Sequence, residues 1–293
     1  MKIDNFIIEK SMELAKSVDN TAVLLYYGDI LALDIVNSDI FKNDIKKIIV
    51  VDEDKKGDDE GIIDELKSIS NTSVVVVPSI SYTRINKIKI ALVICISSGI
   101  LKKDENVVAL TGMSNIDTSI FVNISKEKEL LSYKGDIKLE ESVKPEVFEK
   151  ILSIALELAN QGREGKAVGT IFVLGDSEKV IENTKQMIFN PFKGYKPEER
   201  NILLVNLKDT LKEYSLLDGC IIIDSDGVIQ AAGAYISTSA NIEDIPKGLG
   251  TRHIAAASIT AVSNAISITV SESTGDVMIF KNGNIITRIE KVI

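Results

Sequence analysis

The chain has 293 residues, with 34 Lys and Arg against 43 Asp and Glu and a net charge of −9. That balance excludes a broad grip on nucleic-acid phosphates, which needs clustered cations, but leaves room for a small anion held by a few local donors. The composition, 45% hydrophobic and 26% charged, is that of a folded globular chain, and no apolar run reaches the ~18 residues of a bilayer-spanning helix.

Met1-Lys2-Ile3-Asp4 carries an acid early and has no signal-peptide hydrophobic region, so a cytoplasmic protein away from membranes is expected. Ile3 to Ser17 has apolar residues at helical spacing. Ala22 to Tyr26 and Lys46 to Val51 read as buried strands, the second ending in Asp52. A polar stretch, Asp52 to Glu60, follows. Ile62 to Ile69 reads as a helix, and Val74 to Val77 as a strand stopped by Pro78. Ile88 to Ile96 and Val107 to Leu110 read as further buried strands. Such continuous β-branched runs between helices predict a mostly parallel, three-layer α/β domain over 1–126.

The charged stretch 127–144 reads as a linker. Pro145 suits a first helical turn, and Val147, Ile151, Leu152, Ile154, Ala155 and Leu158 continue a helix to Gln161. Val168 to Leu174 is a predicted strand, Asn190-Pro191-Phe192 a loop, and Leu204 to Tyr214 a helix. Cys220 to Asp224 and Val228 to Tyr235 are strands joined by Ser225-Asp226-Gly227. Ile254 to Asn264 is a predicted helix and Ile266 to Val270 a strand. Val277 to Phe280 and Ile285 to Ile289 pair around Asn282-Gly283, the strongest short hairpin signal. A mixed-sheet α/β domain over 145–293 is expected. Cys95 and Cys220 lie in apolar runs and read as free buried thiols, too few for a structural zinc site.

Three segments could carry chemistry. In Gly248-Leu249-Gly250-Thr251-Arg252-His253 the glycines allow close approach of backbone to a ligand. Thr251 reads as an N-cap, the following alanines continue a helix, and a helix start with Arg252 beside it suits an anion. An ordinary capped helix with a solvated Arg fits the same residues. His253, the single histidine, is a ligand, metal or core residue. Asp218-Gly219 before the strand at Cys220 is a turn, or a carboxylate for a cation or a proton. Ser271-Glu272-Ser273-Thr274-Gly275 is a serine-rich turn, or a second phosphate contact. Asp52, Asp54, Asp58 and Asp59, and a turn at Ser97-Ser98-Gly99, offer only scattered groups. There is no phosphate-binding G-x-x-x-x-G-K-[ST] loop and no GxSxG elbow.

In this order, Asp218-Gly219-Cys220, Gly250-Thr251-Arg252-His253-Ile254 and Ser271-Glu272-Ser273-Thr274-Gly275 resemble the diadenylate cyclase (DAC) family. Its pattern is Asp-Gly-Ala, then Gly-Thr-Arg-His-Arg, then a Ser-Glu-Glu-Thr-Gly-like stretch. Ile229 to Tyr235 and Pro246-Lys247-Gly248-Leu249 are similar too, and the likeness covers Glu146 to Ile293. Cys220 stands for Ala, and Ile254 for the second Arg. The first half loosely resembles the α/β domain at the C-terminus of pyruvate kinase, which suggests a regulatory or oligomerising role. The whole resembles the archaeal branch of the family.

The resemblance implies that two ATP molecules are condensed to cyclic di-AMP with release of two pyrophosphates. It implies Mn²⁺ or Mg²⁺ and a homo-oligomer with DAC domains face to face. Asp218, His253 and Arg252 are then catalytic, with Asp218 and His253 at the metal. Gly219, Gly250, Thr251, Ser271 and Glu272 would bind substrate, and Tyr235 and Ile236 would frame the adenine. A catalytically weak or inactive nucleotide sensor is the alternative, because of Ile254.

Overall fold

The computed structural model describes residues 3–27, 44–53, 60–79, 83–112, 116–127, 142–238 and 249–291. The chain divides into two compact units, Met1–Leu130 and Leu131–Ile293, each with its own sheet. Asp54, Asp58, Asp59, Pro246-Lys247-Gly248 and most of the expected linker (128–141) lie outside the described residues.

In the first unit, helix α1 (Ile3–Ser17) leads into strand β1 (Thr21–Tyr27), followed by β2 (Lys47–Asp52), α2 (Glu60–Ser68), β3 (Thr72–Val77), α3 (Arg84–Ser97), β4 (Asn106–Thr111) and β5 (Thr118–Asn123). The strands lie in the order β3-β2-β1-β4-β5. All neighbours are parallel except the β4–β5 pair. Strand alternation divides the β-branched runs between two faces. Val23, Leu25, Ile49, Val51, Val108 and Leu110 pack with Ile8 and Met12 of α1 and Ile63 and Leu66 of α2. Leu24, Ile48, Val50 and Val107 alternate with them and are fully buried too. On that second face the Tyr26 hydroxyl donates to the Lys87 carbonyl of α3, 2.5 Å away, so helices cover both sides. Each such side chain contributes about 1.5–3 kcal/mol on burial.

One expectation is corrected here. Ile88 to Ile96 is not a strand but the body of α3. The helix begins at Thr83, whose hydroxyl accepts from the Asn86 amide at 3.1 Å, and residues all round it are buried. A helix apolar on every side loses the 3.6-residue stripe and looks like a buried strand. Ser97-Ser98-Gly99 is where this helix stops: the Ser98 amide donates to the Ile94 carbonyl, and Gly99 has φ +68°.

The second unit opens with α4 (Pro145–Gln161), then β6 (Thr170–Leu174), α5 (Ser177–Glu182), β7 (Thr184–Gln186), α6 (Lys208–Tyr214), β8 (Cys220–Ile223), β9 (Ile229–Ile236), α7 (Thr251–Val262), β10 (Ile266–Val270), β11 (Val277–Lys281) and β12 (Asn284–Ile289). Its sheet runs β12-β11-β10-β6-β8-β9-β7, parallel only between β6 and β8. Asn282 and Gly283 both take positive φ at the β11–β12 turn, as a two-residue hairpin with right-handed strand twist demands. Ile171, Val173, Cys220, Ile222, Met278 and Phe280 pack beneath Ala256, Ala257 and Ile259 of α7. Small alanines let α7 lie close to the strands. Its N-terminus is thereby set at the same end of the sheet as the turn after β10.

Candidate active site

The helix start differs from expectation in one detail. Gly250, not Thr251, is the N-cap, and Thr251 is the first helical residue. Gly250 has extended backbone, and its carbonyl accepts from the amides of His253 (3.0 Å) and Ile254 (3.3 Å). No side chain caps the helix. The Thr251 and Arg252 amides therefore lack intrahelical acceptors and carry the positive end of the helix dipole.

Arg252 ties the three motif segments together. Its Nη1 donates to Glu272 Oε2 at 3.0 Å, and its Nη2 lies 3.5 Å from Asp218 Oδ1. The Asp218 side chain is 97% exposed, so its carboxylate is offered to solvent or a ligand rather than spent on the fold. Gly219 behind it has φ +102°. That turn swings Asp218 clear of β9 as the chain enters β8.

Two adjoining cavities meet at Thr251 and Arg252. One, about 410 Å³, is lined by Asp218, Gly219, Tyr235 and Ile236, with Ile171, Met187, Cys220 and Ala255 adding an apolar wall. The other, about 430 Å³, is lined by Gly250, His253, Ser271, Glu272 and Ser273. The first has the character of a slot for a flat, largely apolar ring and the second that of a polyanion seat. Ser271 Oγ sits 3.3 Å from Ser273 Oγ and accepts from the Thr274 amide at 3.3 Å. Tyr235 is 56% exposed.

The structure thus places all ten expected site residues around these cavities, Asp218 in one and His253 in the other. Met187, Ile171 and Ala255 were not foreseen. Met187 follows a three-residue strand without any motif. Ile254 is 46% exposed and lines neither cavity.

His253 is 7% exposed, and neither ring nitrogen has a hydrogen-bond partner among the described residues. Its ring stacks at a tilt on Phe280, centroids 6.3 Å apart. Burial, then the charges of Arg288 and Arg252, hold its pKa below the ordinary 6.5, while Asp276 acts in the opposite sense. The ring is neutral at pH 7, and both of its nitrogens are enclosed by the fold. In the interval below pH 6.5 the unfolded chain binds a proton that the folded chain refuses. This contribution to stability is therefore intact above 6.5 and declines as the pH falls below it. We expect the thermal midpoint to fall more steeply between pH 7 and about 5.5 for the wild type than for His253→Gln. Parallel slopes would refute the assignment. Cys220, fully buried at the wall of the slot, has its thiol pushed up to about 12 by desolvation and is inert.

Among the described residues no group of three or more His, Cys, Asp or Glu forms a ready-made metal cage. His253, with its unpartnered imidazole, and Asp218, with its open carboxylate, line the two adjoining cavities. Of the two, the Asp218 carboxylate is the accessible oxygen donor that suits a hard divalent cation taking its remaining ligands from substrate phosphates and water, while His253 lines the neighbouring cavity with its ring nitrogens enclosed.

Comparison with known proteins gives a consistent picture. The family model described as DAC, the nucleotide-binding region of the DisA bacterial checkpoint controller, matches residues 157–285. A diadenylate cyclase from Methanocaldococcus jannaschii is 31% identical over 314 residues, spanning 97% of this chain and 96% of that one. A diadenylate cyclase from Haloferax volcanii is 34% identical over 195 residues, 65% of this chain and 70% of the other. Among solved structures, DacA from Staphylococcus aureus, a double mutant, is similar over 50% of this chain and 87% of its own, at 26% identity and a TM-score of 0.34.

Proposed function

The chain belongs to the diadenylate cyclase family, and from that premise we propose that its second unit joins two ATP molecules into cyclic di-AMP, working as a face-to-face pair of DAC domains in a homo-oligomer. The observation that carries this reading is the Arg252 bridge, which brings the Asp218 turn, the α7 start and the Ser271–Glu272 turn to one place. The domain division follows the same reading: 145–293 catalytic, 127–144 a linker, and 1–126 regulatory or oligomerising. Among the described residues no helix is long and apolar enough to cross a membrane.

In each half-reaction the 3′-hydroxyl oxygen of one ATP attacks the α-phosphorus of the other. The new phosphodiester bond forms as the bond to the pyrophosphate oxygen breaks, and the hydroxyl proton leaves. Two such steps give a product with two-fold symmetry, which a C2 pair of sites matches with identical groups. Tyr235 and Ile236 frame the adenine in the apolar slot. The Thr251 amide, Arg252 and Ser271 hold phosphate oxygens and keep the α-phosphorus in line with the attacking oxygen. Asp218 and His253 would hold Mn²⁺ or Mg²⁺, whose charge offsets that building up on the phosphoryl oxygens. Asp218 faces the open cleft, where it also can accept the hydroxyl proton. Glu272 and Gly219 position Arg252 and Asp218. The decisive test is to incubate the pure chain with ATP and Mn²⁺ and weigh the product. An unaltered ATP pool would leave a nucleotide sensor.

That second reading rests on Ile254, which stands where the family has its second arginine. Because the position is half-exposed, Ile254→Arg should change stability by no more than about 0.5 kcal/mol. We expect the KM for ATP to fall severalfold as a further donor enters at the helix start. A KM that does not move would show that the missing cation is not a deficit.

A further inference from the structure

Gly169 immediately precedes β6, whose Thr170 pairs with Val270 at the end of β10. It therefore lies across from the turn that begins at Ser271. A β-carbon built on Gly169 would stand 2.7 Å from Arg252 Nη1, 3.0 Å from Arg252 Cζ and 2.9 Å from Glu272 Cβ. These separations are too short for carbon, so the space a side chain would take is already filled by the Arg252–Glu272 pair. Gly169 is not among the residues with positive φ. Room, not backbone conformation, is what demands glycine here.

We propose that Gly169 is a positioning residue of the nucleotide site: its missing side chain is the seat in which the Arg252 guanidinium lies between Glu272 and Asp218. Two sides of that guanidinium face carboxylates, and a third faces the bare Gly169 backbone. The seat matters because the groups around it differ in freedom. The Glu272 backbone belongs to a turn closed by the Ser271 amide on the Asp276 carbonyl at 2.9 Å and the Gly275 amide on the Ser271 carbonyl at 2.8 Å. The Arg252 guanidinium is the end of a long, flexible stem. A methyl at position 169 therefore displaces the arginine most readily, turning its donors away from the junction of the two cavities, and the approach to Glu272 Cβ is relieved only by a small shift of the backbone on either side. The effect is one of aim, which a small displacement suffices to spoil.

The inference rests on the cyclase reading only for the identity of the nucleotide. In the full-length chain, Gly169→Ala, Arg252→Ala and the double variant are compared for binding of a non-hydrolysable ATP analogue with Mn²⁺, for kcat and KM of cyclic di-AMP formation, and for thermal midpoint. Gly169→Ala is expected to weaken analogue binding about tenfold, and to cost no further binding once Arg252 is already alanine, while the midpoint falls by roughly 2–5 °C in both Arg252 backgrounds because the contact with Glu272 Cβ remains. Wild-type binding in Gly169→Ala would overturn the proposal. So would the same fold-loss of binding in both Arg252 backgrounds. If Gly169→Ala alone does not fold, recovery of folding in the double variant supports the seat, and failure of both assigns Gly169 a backbone role and overturns it. Absence of product from the wild type would instead strike the cyclase reading, since the binding comparison does not depend on turnover.

Discussion

In Asp218→Asn, cyclic di-AMP formation is expected to fall by at least about a hundredfold, while the thermal midpoint stays within about 2 °C of the wild type. The two halves of that expectation come from one observation. The carboxylate is almost wholly exposed, and among the described residues its ion pair is the long one to Arg252. Replacing it with an amide of the same shape buries no new polar group and opens no cavity, so the mechanisms that produce large destabilisation are absent. What is removed is charge at the mouth of the slot: the anion that would share a divalent cation with His253 and accept the hydroxyl proton. Asparagine keeps an oxygen but neither the charge nor the basicity. Product formation followed by mass, together with a melting curve, separates the two halves. A variant that cyclises ATP at the normal rate removes Asp218 from the chemistry.

Gly219→Ala should behave in the opposite way and lose stability as well as activity. At φ +102° an L-residue is strained before any contact is counted. The added methyl would also stand 2.7 Å from the Ala234 carbonyl oxygen and 2.9 Å from that residue's carbonyl carbon and amide nitrogen. These are backbone atoms of β9, paired with Cys220 of β8 beside a register irregularity, and they cannot yield as a side chain does. We expect a loss of about 2–4 kcal/mol, a fall in midpoint of roughly 5–15 °C. Turnover should collapse as the neighbouring carboxylate is swung out of place. A native midpoint would mean that the turn relaxes freely and that glycine serves another purpose there.

The sequence was informative where local chemistry and tertiary structure agree. Proline at 145 and a wide apolar stripe define α4 to the residue, and Asn282-Gly283 fixes its hairpin. It misled where context overrides pattern. Ile88 to Ile96 carries β-branched residues on all sides because α3 is buried on all sides, and periodicity is silent about that. The short α5 and β7 had too few residues to show a period, and β5, an edge strand buried at only one of its six positions, has no long apolar run to read. At the site, residue types alone pointed to an anion, and only the order of three motifs pointed to a nucleotide. The pairing of Arg252 with Asp218 and Glu272 spans 34 and 20 positions along the chain, beyond what spacing reveals. Gly169 gave no signal, since a glycine required for room rather than for a turn leaves no mark on its neighbours.

The guanidinium of Arg252 is outnumbered by the carboxylates on either side of it, on a chain that is itself strongly acidic. On the proposed reading, a bare nucleotide arriving at this mouth would meet these carboxylates together with the donors. A nucleotide whose charge has already been partly neutralised would then be the better suited species, and the composition of the surrounding solution, and not the protein alone, would govern how readily the cleft fills.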